Sequence, residues 1–237
     1  MTTDDTNGKR LDIKPIETQY KGYRFRSRLE ARWAVFFDAL KIEWTYEPEG
    51  FDLGDAGWYL PDFWLPEWKC FVEIKPDIPT DEEMAKFAAL VIARRKTYSD
   101  LKEHYLICGS PGVPKLKFLV DGDRLFSVAS GYACLAVTGL LAEGVPDFTV
   151  SCFAMVDGGR SLDIWPIYMT DDFVALPCEV AAKNIKGSHS DLWSVSLVGG
   201  PMRRMYAGKG IEYDSMPLRM AYTAARSARF EHGESPS

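Results

Sequence analysis

The five cysteines of this chain (70, 108, 134, 152 and 178) are odd in number, widely spaced and free of any C-x-x-C pairing. That argues against a structural zinc site and a disulfide scaffold, and it points to a reducing cytoplasm. The three histidines (104, 189 and 232) lack ligand spacing, so none is assigned to chemistry. No apolar run approaches the roughly 18 to 20 residues of a membrane span. The opening Met1-Thr2-Thr3-Asp4-Asp5 lacks the basic and apolar parts of a signal peptide. No internal repeat is evident. Positive charge is also short: 28 Lys and Arg against 34 Asp and Glu leave a net charge of −6, which argues against a generic nucleic-acid coat.

What is present is a large apolar fraction, 46% of 237 residues, enough for a substantial core. Basic residues are clustered. Lys21, Arg24, Arg26, Arg28 and Arg32 surround Glu30; Arg94-Arg95-Lys96 follows; Arg203, Arg204, Lys209, Arg219, Arg226 and Arg229 lie toward the end. Each cluster has an ordinary reading as a solvated face.

Ser27-Arg28-Leu29-Glu30 is a capping box, so a helix is predicted there with Leu29, Trp33, Phe36, Phe37 and Leu40 on its apolar side. A strand near Ile42–Glu47 and a glycine-rich loop (Gly50, Gly54, Gly57) come next. Trp58–Leu65 and Lys69–Lys75 read as a hairpin. Thr80-Asp81-Glu82-Glu83 opens a second helix bearing Met84, Phe87, Ala88, Val91 and Ile92, and His104–Cys108 is an apolar strand. The expected fold is α/β: helix, three strands, helix, strand within 13–110, after a flexible lead-in at 1–12. The rest, 111–237, is expected to be an appended, mainly β region with a hairpin around Gly158-Gly159 and a basic C-terminal helix from Ser215 to about Gly233.

If Glu67-Trp68 forms the hairpin turn, Pro66 pairs with Lys69 and Asp62 falls opposite Glu73, with Cβ atoms about 5 Å apart. Alternation then puts Leu60, Asp62, Trp64, Phe71, Glu73 and Lys75 on one face, and Tyr59, Pro61, Phe63, Leu65, Cys70, Val72 and Ile74 on the apolar other. Two opposed carboxylates repel unless a cation lies between them. Hard oxygen ligands suit Mg²⁺ or Mn²⁺: Asp62, Glu73 and the Ile74 main-chain carbonyl, with Glu30 joining directly or through water. Lys75 would orient or deprotonate an attacking water or stabilise a transition state. Plainer readings stand beside these: Glu30 as the third residue of a cap, Asp62 as a turn residue, Glu73 and Lys75 as a solvated strand pair.

Glu30, Pro61-Asp62 and Glu73-Ile74-Lys75 resemble the motif of the PD-(D/E)XK nuclease superfamily, over roughly residues 20–110. The longer strings Phe25–Trp33 and Tyr59–Phe63 resemble the endonuclease subunit of heteromeric transposases and nuclease-type phage proteins; Ala224–Gly233 is similar to the tail of the latter. The resemblance implies a restriction-endonuclease-like core, a Mg²⁺ site and catalytic roles for Glu30, Asp62, Glu73 and Lys75. The expectation is a metal-dependent DNA endonuclease of phage or mobile-element DNA processing, acting in the host cytoplasm as a homodimer or with a partner protein that targets DNA. The alternative is a silent nuclease-fold protein that binds DNA or a host protein. Arg26, Arg28, Arg32, Arg219, Arg226 and Arg229 are the candidate DNA contacts, the later ones sharing a helix face with Tyr222.

Overall fold

Residues 15–97, 104–113, 115–117, 127–140, 146–156, 160–166, 168–169, 193–194 and 215–230 are described by the computed structural model. The lead-in at 1–12, the Gly158-Gly159 turn, Arg203, Arg204, Lys209 and the final residues lie outside them. A short hairpin not foreseen in the sequence, β1 (Thr18–Tyr20) and β2 (Tyr23–Phe25), turns at Lys21 and Gly22, both with positive φ (47° and 83°). Helix α1 (Arg28–Ala39) starts at Ser27, whose hydroxyl oxygen accepts the Glu30 amide at 3.2 Å. It ends where Lys41 turns left-handed (φ 59°) and the Ile42 amide donates to the Phe37 carbonyl at 2.9 Å.

Next come β3 (Thr45–Tyr46), the paired β4 (Phe51–Asp52) and β5 (Trp58–Tyr59), then β6 (Phe63–Leu65) and β7 (Cys70–Lys75). The strand expected over 58–65 is therefore broken. Pro61 offers no amide to a ladder, so the chain leaves β4 after Tyr59 and enters the main sheet at Phe63. Helix α2 (Asp81–Thr97) is capped by Thr80, with the Thr80 amide donating to Glu83 at 2.7 Å. It crosses over to β8 (Tyr105–Gly109), which pairs parallel with β7.

Beyond β8 lie the paired β9 (Lys115–Lys117) and β10 (Ser127–Ser130), then β11 (Tyr132–Leu140), β12 (Pro146–Val156) and β13 (Ser161–Pro166). Of the strands expected as an appended element, β12 and β13 continue the same sheet through β11, while β9 pairs with β10 in a sheet of its own. The order of the main sheet is β13-β12-β11-β8-β7-β6-β3, seven strands with only β7 and β8 parallel among the pairs. Among the described residues the fold is a mixed α/β structure with one large mixed sheet and three α-helices.

The third helix, α3 (Met216–Ser227), has Ser215 as N-cap and Pro217 in its first turn. It ends at Ser227 instead of near Gly233, because Ala228 becomes extended and Phe230 packs edge-on against Tyr20. It docks on α1 through Leu218, Ala221, Tyr222 and Ala225, all buried, with Tyr222 stacked on Phe36 at 5.0 Å. Tyr222 therefore does not share an outward face with the arginines. Helices α1 and α3 cover one side of the sheet, where Phe37 meets Phe63 and Trp33 meets Tyr132. On the other side Phe87 of α2 faces Tyr59, Phe51 meets Phe71, and the Arg94 guanidinium lies over both Phe51 and Phe71. The hairpin is thus buried on both faces, not half-buried. Among the described residues no helix is long and apolar enough to cross a membrane.

Candidate functional site

The β6–β7 register pairs Phe63 with Val72, Trp64 with Phe71 and Leu65 with Cys70. That is the register expected from a Glu67-Trp68 turn, which is closed by the Lys69 amide donating to the Pro66 carbonyl at 3.2 Å. Continued by one residue, it sets Asp62 against Glu73. Main-chain pairing stops just short of that point. Asp62 spans the gap with both its parts: its carbonyl accepts the Glu47 amide at 2.8 Å, and its Oδ2 accepts the Ile74 amide at 2.7 Å.

Both carboxylates are buried, each only 7% exposed. Burial first, then the Glu73 charge, then that of Glu30, raise the Asp62 pKa well above the usual carboxylate range. Burial also raises Glu73, against the pull of Lys75, the Tyr59 hydroxyl and the Asp62 amide. The Lys75 ammonium donates to Glu73 Oε1 at 2.9 Å and lies 3.7 Å from Glu83. Burial works against its charge, but Glu73 outweighs it and the Lys75 pKa is raised. Glu73 Oε2 is shielded from solvent and has no hydrogen-bond partner. Such an atom costs free energy as it stands.

Glu30 is close enough for Asp62 to feel its charge. Its carboxylate, however, already accepts from the Ser27 hydroxyl (2.6 Å), the Tyr46 hydroxyl (2.6 Å) and the Arg26 amide (3.1 Å). Ile74 meets Asp62 through its amide. Among the described residues no three His, Cys, Asp or Glu side chains form a group that could hold a metal ion. Two buried carboxylates of raised pKa, one lysine and the shielded Oε2 nonetheless stand together, and carboxylate oxygens are hard donors.

Two members escaped the sequence reading. Strand alternation assigned Tyr59 to the apolar face, but the break at Pro61 resets that alternation, and its hydroxyl reaches the Glu73 carboxylate. Glu83 was legible only as a cap residue; one turn into α2 it also faces Lys75.

The six arginines separate. Arg26 pairs with Glu47 at 2.6 Å. Arg219 is exposed on α3. Arg28, Arg32, Arg226 and Arg229 come together around one cleft of about 310 Å³ between α1 and the end of α3. Elsewhere Lys21 pairs with Asp38 at 2.8 Å, Arg24 with Glu17, and Arg94 with Glu49 at 3.8 Å. Comparison with protein-family models, with characterised proteins and with solved structures returned no match to this chain.

Proposed function

We propose that this chain is a metal-dependent endonuclease that hydrolyses DNA phosphodiester bonds from the Asp62–Glu73–Lys75 cluster, on a restriction-endonuclease-like core. The observation that carries the reading is the shielded, partnerless Glu73 Oε2 beside a second buried carboxylate. With the β4–β5 hairpin inserted after β3, the succession α1, β3, β6, β7, α2, β8 supports the core, and the quoted motif residues support a role in phage or mobile-element DNA processing. Asp62 and Glu73 would hold Mg²⁺ or Mn²⁺, with the Ile74 carbonyl as a further oxygen. When bound, such an ion supplies Lewis-acid stabilisation of phosphate charge and acidifies water.

The chain's own residues do the positioning. The Ile74 amide fixes Asp62, while Tyr59 and Lys75 fix Glu73. Lys75, its pKa raised, stays cationic at neutral pH. Its part is to hold the attacking water or a phosphate oxygen and to stabilise developing charge. Glu30 orders the start of α1 and adds negative charge behind Asp62. Cutting two strands calls for two centres, which a homodimer would provide, whereas a transposase-type subunit would need a partner protein to locate DNA ends.

The test is incubation with plasmid, branched and single-stranded DNA in Mg²⁺ or Mn²⁺. Asp62→Ala should abolish cleavage and Lys75→Ala should slow it by roughly 10²–10³. Absence of cleavage on every substrate, or variants that cut like the parent, ends this reading.

The engagement of Glu30 by three donors favours a second reading, a nuclease-fold protein that binds DNA or a host protein without cutting. Calorimetry with Mn²⁺ separates the two, since a silent site takes up no ion through Asp62 and Glu73.

A further inference from the structure

We propose that the cleft between α1 and the end of α3 is a binding site for neighbouring phosphates of a single nucleic-acid strand. Arg28 and Arg32 stand one turn apart on α1, and Arg226 and Arg229 approach from the last turn of α3 and the extended segment after it. Ser227, Ala228 and Phe230 complete the wall, and no Asp or Glu among the described residues lines it. The Arg32 Nε is shielded from solvent without a hydrogen-bond partner. Arg32, Arg226 and Arg229 gather there with no acid among the described lining residues, and a bound anion relieves their mutual repulsion.

Guanidinium groups present forked donors that match phosphate oxygens in pairs. One phosphate monoester brings a charge of only about −1.5 to −2, less than Arg32, Arg226 and Arg229 carry together, so the cleft suits two or more phosphates. The half-buried Phe230 ring gives a sugar or base an apolar surface. A cleft of about 310 Å³ admits a unit or two of one strand and is too small for a duplex to enter. This deepens the nuclease reading, and rests on it only for the use made of the strand, not for its binding.

The probe is a short fluorescein-labelled single-stranded DNA, read by anisotropy in EDTA so that cleavage plays no part. Arg226 and Arg229 are exposed, so their replacement leaves the core intact. The double variant Arg226→Gln/Arg229→Gln should bind about tenfold more weakly and lower the slope of log affinity against log salt by roughly 1.4, about 0.7 per contact. Arg24→Gln, an equal loss of charge per residue outside the cleft, should leave both unchanged. Parental affinity in the double variant overturns the proposal, as does an equal loss in Arg24→Gln. Full displacement of the strand by ATP at matched phosphate concentration also overturns it, in favour of a free nucleotide. A protein that binds the strand through the cleft but cuts nothing keeps this inference and loses the nuclease; one that cuts but ignores the arginine changes does the reverse.

Discussion

The Ile74 amide donates to Asp62 Oδ2 at 2.7 Å at the point where the β6–β7 ladder has run out of main-chain pairs. A side-chain oxygen thus takes the place of a strand carbonyl. The carboxylate is locked against Glu73 by the same bond that keeps the end of the ribbon closed.

Asp62→Asn keeps an oxygen for the Ile74 amide but removes the repulsion from Glu73. In chelator, the variant is expected to melt higher than the parent near neutral pH and to lose the stabilisation that Mn²⁺ gives. Thermal unfolding with and without Mn²⁺ measures both. A lower metal-free midpoint would show that the two charges are not in conflict.

The raised pKa values of Asp62 and Glu73 set a sign for the pH dependence. The folded state holds protons that the unfolded chain releases near about pH 4. Metal-free stability therefore falls as pH rises from there through the raised folded values. Lys75, also raised, acts only in the alkaline range. On the proposed metal site Mn²⁺ would bind the ionised pair, so its stabilising effect should be larger at about pH 8 than at about pH 5. Urea unfolding at the two pH values checks this.

Glu30→Ala removes the acceptor of the Ser27 hydroxyl, the Tyr46 hydroxyl and the Arg26 amide. A loss of about 2–3 kcal/mol is expected, against about 1 kcal/mol for Ser27→Ala, which removes the cap alone. Urea titration gives both. A neutral Glu30→Ala would assign Glu30 to chemistry rather than to architecture.

Docking of α3 depends on the buried pair Tyr132 and Tyr222, whose hydroxyls are 2.8 Å apart. The Tyr132 oxygen also accepts the Phe153 amide at 2.8 Å. Tyr222→Phe should cost about 1 kcal/mol, and Tyr132→Phe up to about 3 kcal/mol because it strands a buried amide. Denaturation curves of the two variants give the comparison.

The sequence by itself determined the short-range features. Ser27 and Thr80 start α1 and α2 because each cap is satisfied within one turn by its own Glu, Glu30 and Glu83. The register that opposes Asp62 and Glu73 follows from the length of one turn and from strand alternation. Tertiary structure alone decided the rest. Pro61 interrupts the strand, so Tyr59 is directed by its pairing with β4 and by Phe87, beyond the reach of alternation. The polar face became a buried one only because α2 and the β4–β5 hairpin lie over it. Arg28 and Arg32 meet Arg226 and Arg229 because α3 packs on α1 through aromatic and alanine contacts distant in sequence. Caps, turns and alternation act between near neighbours, whereas burial and charge add up over everything the fold brings close.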